Sequence, residues 1–193
     1  MVRPTETLLT SALRPGLRGF LAFCEVVGLD LEPFQRKIAR AMFSAEREVL
    51  VILPRGNGKT TLLAAIAAHH LLTHERPMVY LGAASVAQAR IAFEAARAFC
   101  THPAIADLVT VRALELRRAD DTGGVMRMVP SDGPKAHGLQ GSLYLCDELW
   151  AHRDGQLYEA MRSALVKRPD ARMATISTAD VGPERPLSRL RAR

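Results

Sequence analysis

Glu48-Val49-Leu50-Val51-Ile52-Leu53-Pro54-Arg55-Gly56-Asn57-Gly58-Lys59-Thr60-Thr61-Leu62-Leu63 joins an apolar run to a glycine-broken turn and then to a helical pattern. The run from Val49 to Leu53 is short and β-branched, which predicts a buried strand, and Pro54, Gly56, Asn57 and Gly58 give the backbone freedom of a tight loop. A helix is expected to open near Gly58. The N–H groups of its first turn have no intrahelical partners and point at an anion, so Gly56 to Thr61 read as a phosphate cradle. Lys59 is placed to reach the β- and γ-phosphates of a nucleotide, and the Thr60 hydroxyl to ligate Mg²⁺.

The motif departs from the usual G-x-x-x-x-G-K-[ST] spacing, because the first glycine would fall at position 53, where Leu53 stands. The strand before it and the helix after it supply the context that a bare Gly-Lys-Thr lacks. A second apolar run, Ser142-Leu143-Tyr144-Leu145-Cys146-Asp147-Glu148, ends in adjacent carboxylates. In an open parallel sheet, ligands sit at the C-terminal strand ends, so Asp147 is expected in the Mg²⁺ shell and Glu148 as the group that polarises the attacking water. Taken alone, Asp-Glu after a strand reads as a solvated turn or the first turn of a helix; the upstream loop changes that reading.

The 193 residues suffice for one domain of ordinary size with a real core. Arginine supplies 22 of the 26 basic residues, and the net charge of +6 fits a polyanionic partner as well as an arginine-rich proteome. Aromatic residues make up 5% of the chain, so no base-stacking platform is advertised and nucleic-acid contacts would fall on phosphates. Cys24, Cys100 and Cys146 are isolated and read as buried thiols in a reducing compartment, and the histidines show no zinc spacing. No stretch is long and apolar enough to span a bilayer, and no secretion signal is legible, so no membrane partner is expected.

Short helices are expected over Thr5 to Leu13 and Leu17 to Val27, forming an N-terminal helical extension of residues 1–30. Pro33 opens a further helix with Phe34, Ile38 and Met42 at helical spacing. Gln35 projects off that apolar face; its amide both donates and accepts, which suits the edge of adenine as well as it suits plain solvation. Met78 to Ala84 reads as a buried strand, Val86 to Phe99 as a helix bearing Gln88, Arg90 and Arg97, and the alternation argues for a parallel sheet. Val109–Val111 and Val125–Val129 read as strands around a turn at Asp120-Asp121. The loop from Pro130 to Gly141, with Ser131, Asp132, Lys135, His137 and Gly138, is open to lining the nucleotide or a DNA track. A helix from Gln156 to Lys167 precedes Ala171-Arg172-Met173-Ala174-Thr175-Ile176-Ser177-Thr178-Ala179, a strand whose terminal hydroxyls either sense a phosphate or cap a turn. An arginine-rich tail, with Arg185, Arg189, Arg191 and Arg193, closes the chain.

The loop Pro54 to Thr60, the run Leu143 to Glu148 and Thr175-Ile176-Ser177-Thr178-Ala179 together resemble the ATPase module of the large terminase subunit of tailed bacteriophages. The Phe34-Gln35 helix is similar to that family's adenine-side motif, and the likeness covers roughly residues 30 to 193, with a P-loop ATPase domain implied over 31–193. The resemblance implies an α/β P-loop NTPase with a mainly parallel central sheet, in which the strand ending at Ser177 lies between those carrying Lys59 and Asp147. It implies that ATP and Mg²⁺ are bound, that Arg55 contacts the γ-phosphate and that Ser177 and Thr178 couple hydrolysis to movement. Double-stranded DNA, a homo-oligomeric ring on a portal, a small terminase subunit and a place in the host cytoplasm during assembly are implied likewise. Such subunits carry a C-terminal nuclease domain for which these residues offer no candidate site, so no DNA cleavage is expected of this polypeptide. A helicase-like or other nucleic-acid-stimulated ATPase, and a nucleotide-binding remnant without turnover, are the competing readings.

Overall fold

The apolar runs identified above become the strands of one sheet. A computed structural model describes residues 5–130, 138–179 and 187–188. In chain order the helices and strands are α1 (Glu6–Ala12), α2 (Leu17–Val26), α3 (Pro33–Met42), β1 (Glu48–Ile52), α4 (Lys59–Thr73), β2 (Met78–Ala83), α5 (Val86–Cys100), β3 (Val109–Val111), β4 (Glu115–Arg118), β5 (Val125–Pro130), β6 (Leu143–Asp147), α6 (Gln156–Ala164) and β7 (Arg172–Ser177). The sheet order is β1-β7-β6-β2-β5-β4-β3. The first five of these run parallel; at the far edge β4 pairs antiparallel with β5, and β3 antiparallel with β4. The expected place of β7 between β1 and β6 is met, with Ile52 opposite Ser177 and Asp147 opposite Ile176.

Alternation along the central strands explains their unbroken apolar character. Leu143 and Leu145 of β6, with Ala174 and Ile176 of β7, enter a large core with α4, α5 and the N-terminal helices; Tyr144, Cys146 and Met173 enter a second core with α6. Helix α4 is covered on nearly every side, since Leu62 through His69 are all buried along with Leu71 and Leu72. That burial makes its apolar stretch a core helix rather than a membrane span. Among the described residues no helix is long and apolar enough to cross a bilayer.

His69 shows how the N-terminal extension is anchored. Its ring lies 5.7 Å from those of Phe20 and Phe23 and 5.8 Å from that of Phe43, and Nε2 donates to the Arg14 carbonyl at 3.1 Å. Burial pushes its pKa down to about 4, so the ring is neutral. Gly19 makes room for the same junction, because a Cβ there would collide with the Arg14 carbonyl oxygen and approach His69 Nε2. Through this junction the described N-terminal helices pack on α4.

Several expectations change. Strand β1 sits at an edge of the sheet, and Leu50 is 40% exposed, where a buried strand was read. Strand β4 was not foreseen, since three of its four residues are charged; only Leu116 turns inward, and pairing with β3 and β5 makes the strand. The helix read to Lys167 is α-helical to Ala164 and tightens to 3₁₀ over Leu165–Lys167. Residues 131–137 and the arginines at 185, 189, 191 and 193 lie outside the described residues, and with them the proposed lining of the 130–141 loop.

Candidate active site

Strand β1 delivers the chain into the phosphate loop at the C-terminal edge of the sheet, where the Leu53 N–H donates to the Ser177 carbonyl at 3.0 Å and ties the loop to β7. Gly56 and Gly58 adopt φ of +80° and +64°, values that a side chain rarely takes. Gly58 is also the residue before α4, so the first N–H groups of the helix face the cleft. Asn57 closes the turn by donating from Nδ2 to the Pro54 carbonyl at 3.0 Å.

Gln35 braces the loop from behind. Its Oε1 accepts from the Glu32 N–H at 3.0 Å in a capping box, and Nε2 donates to the Asn57 carbonyl at 3.3 Å. The residue is 9% exposed, so it turns inward rather than projecting off the helix into solvent. A Cβ on Gly58 would lie 2.9 Å from Gln35 Nε2, which couples the two residues sterically as well.

The charged centre is compact. Lys59 Nζ donates to the carbonyls of Pro54 at 2.8 Å and Leu53 at 3.2 Å, and lies 3.5 Å from both Glu148 Oε1 and Thr178 Oγ1. Thr60 Oγ1 donates to Asp147 Oδ2 at 2.9 Å. Burial raises the pKa of Asp147, opposed by the Thr60 hydrogen bond and reinforced by the nearby Glu148 charge. Its other oxygen, Oδ1, is buried without a hydrogen-bond partner among the described residues. A hydroxyl beside a buried carboxylate with an unpaired oxygen is a donor set that fits a hard divalent cation such as Mg²⁺.

Glu148 is the only non-glycine residue with positive φ among those described, at φ 49° and ψ 54°. Such a conformation costs about 1–3 kcal/mol and needs surroundings that enforce it. Here the Thr178 N–H donates to Oε2 at 3.0 Å and the Thr178 hydroxyl reaches both carboxylate oxygens at 3.1 and 3.2 Å. The chain then turns through a 3₁₀ segment, Leu149–Ala151, in which the Trp150 N–H donates to Ser177 Oγ at 3.0 Å. His152 fastens the end of the turn, its Nε2 donating to the Asp147 carbonyl at 3.1 Å.

These groups border a cleft of about 450 Å³ whose walls include Arg55, Lys59, Thr60, Gln88, Glu148 and Trp150. A larger hollow of about 560 Å³ lies between α2 and α3, but none of these polar groups lines it. The sequence-derived residues Gly56, Asn57, Gly58 and Thr61 line the smaller cleft, Asp147, Ser177 and Thr178 adjoin it, and Gln35 lies behind its loop. Trp150 and Gln88 were missed as site residues. Both follow the C-terminal ends of parallel strands, β6 and β2, and that position was the available signal.

Comparison with known proteins follows the same lines. The family model described as terminase large subunit, T4likevirus-type, N-terminal, matches residues 50–182. The large terminase of bacteriophage HK97 superposes with a TM-score of 0.73 at 25% identity, over 82% of this chain and 35% of that one. The large terminase ATPase domain of Thermus phage P74-26 gives 0.69 at 19% identity, over 94% and 72%. The large terminase of the thermophilic bacteriophage D6E gives 0.57 at 9% identity, over 76% and 37%. The chain therefore spans about a third of the HK97 protein's length. A search of curated proteins finds no match. Since the family match takes in the phosphate loop, the carboxylate strand and the hydroxyl-tipped strand together, this chain belongs to the N-terminal, T4likevirus-type family of terminase large subunits.

Proposed function

We propose that this chain is the ATP-hydrolysing motor module of a phage large terminase, driving double-stranded DNA into a procapsid. The observation that carries the reading is the meeting of Lys59, Thr60, Asp147, Glu148 and Thr178 at the tips of β1, β6 and β7. The loop N–H groups and Lys59 would bind the phosphates, and Thr60 and Asp147 would hold Mg²⁺. The bound ion would neutralise phosphate charge and orient the triphosphate. Glu148, aimed by its strained backbone and by Thr178, takes a proton from the attacking water. Arg55 stabilises charge on the transferred phosphoryl group.

Coupling runs through the same contacts. Ser177 and Thr178 at the tip of β7 hold Trp150 and Glu148 by hydrogen bonds, so a change at the carboxylate is passed to a strand bonded on both sides. The net charge of +6 supports a polyanionic track, read as duplex DNA. By family likeness the working form is a ring on a portal, supplied with DNA through a small subunit, in the host cytoplasm during assembly.

The test is ATP hydrolysis by the purified chain with and without double-stranded DNA, comparing the wild type with Lys59→Ala and Glu148→Gln. Turnover that requires both residues and rises with DNA is the expected result. Hydrolysis indifferent to both substitutions would sink the assignment.

A further inference from the structure

Arg55 is exposed on the phosphate loop between Pro54 and Gly56, yet its guanidinium is not adrift. Its Cζ lies 5.0 Å from the centroid of the Trp150 ring. Trp150 is itself fixed, by the hydrogen bond from its N–H to Ser177 Oγ at 3.0 Å and by the fully buried Leu149 before it. Its indole Nε1 is buried and has no hydrogen-bond partner among the described residues, so the ring is placed by packing and by this backbone tether.

We propose that Trp150 is a positioning residue for Arg55, holding the guanidinium at the mouth of the cleft for the terminal phosphate of a nucleoside triphosphate. The inference rests on the nucleotide reading above. Stacking engages the face of a guanidinium and leaves the N–H groups in its plane free to donate, so ring and phosphate are held together rather than in competition. A long side chain on a glycine-flanked loop otherwise loses rotamer freedom when it meets a ligand; the indole removes part of that loss beforehand. The same short turn carries Glu148, so Ser177 and Thr178 set the platform of the arginine and the aim of the carboxylate at once.

The experiment is calorimetric titration of the full chain with Mg²⁺ and either a non-hydrolysable ATP analogue or ADP. It compares the wild type with Trp150→Phe, Trp150→Leu, Arg55→Ala and the double variant Arg55→Ala/Trp150→Leu. In Trp150→Leu the triphosphate affinity should fall about five- to tenfold while ADP affinity stays within about twofold. Trp150→Phe, which keeps an aromatic face and guards against a folding artefact, should retain most of the affinity. The double variant should be no worse than Arg55→Ala, because the two residues act as one unit. Trp150 is the single tryptophan of the chain, so its emission supplies a second readout. The analogue should change emission in the wild type but leave Arg55→Ala unchanged while still binding to it. Additive losses, equal weakening of ADP and triphosphate, or an emission change that survives in Arg55→Ala would overturn the proposal. Nucleotide binding that needs Lys59 but ignores Trp150 would sink this inference alone, whereas no binding by the wild type would remove the nucleotide reading and this inference with it.

Discussion

The two ends of α4 meet opposite demands. At its N-terminus Lys59 and Thr60 are buried or half-buried among carboxylates and carbonyls, with an unpaired Asp147 oxygen and a strained Glu148 beside them. Near its C-terminus His69 is equally buried, but neutral, and wrapped by Phe20, Phe23 and Phe43. Polar burial at the first end leaves a carboxylate oxygen unpaired among charged groups and suits a ligand; at the second the one unpaired atom, His69 Nδ1, belongs to a neutral ring walled by aromatics, and the burial serves packing. The difference teaches that burial of a polar group is informative only together with its partners.

The largest expected effect breaks the first end while sparing the second. Lys59→Ala or Glu148→Gln should reduce ATP turnover by at least about 10²-fold, while leaving thermal unfolding nearly in place. Steady-state hydrolysis and a melting curve on the same samples check both halves. Gly19→Ala does the reverse. Its Cβ meets the Arg14 carbonyl, so denaturant titration should show a loss of about 2–3 kcal/mol, with nucleotide affinity retained at low temperature.

Acid sharpens the contrast. His69 has a folded pKa of about 4, below the ordinary histidine value, so the unfolded chain takes up the proton first. Its neutral burial is without penalty above the unfolded pKa, and stability is lost as pH falls from about 6.5 towards 4. His69→Gln, which keeps a donor for the Arg14 carbonyl, should flatten that fall by about 3 kcal/mol in denaturant titrations at a series of pH values. An unchanged slope would leave the acid sensitivity to the other histidines whose pKa burial lowers, His70, His74 and His152. The smallest effect returns to the strained residue. Glu148→Asn places a residue that tolerates positive φ, and a stabilisation of up to about 1 kcal/mol alongside lost turnover is expected.

The site was more legible in the sequence than its supports were. Lys59, Thr60, Asp147 and Glu148 are fixed by local rules, a glycine turn before a helix and carboxylates at a strand end, and these hold whatever surrounds them. The inward turn of Gln35 depends on the Asn57 carbonyl, 22 residues away, which no helical periodicity encodes. Trp150 gains its role from Arg55, brought near only by the sheet. Likewise β4 is a strand by virtue of its neighbours, since Glu115, Arg117 and Arg118 carry no apolar alternation. Edge position, as for β1, is a property of the assembled sheet and not of the run Val49 to Leu53.

The three cysteines carry a practical consequence. Cys24, Cys100 and Cys146 are all buried and unpaired, and desolvation pushes the first two up to about 12 and the third higher still. Thiolate is the reactive form, so the native chain is nearly inert to maleimides at neutral pH. One cysteine added on an exposed surface therefore becomes a unique attachment point for a dye or bead, with no need to strip the others from the core. A protein that arrives chemically silent can be watched one molecule at a time without first being rebuilt.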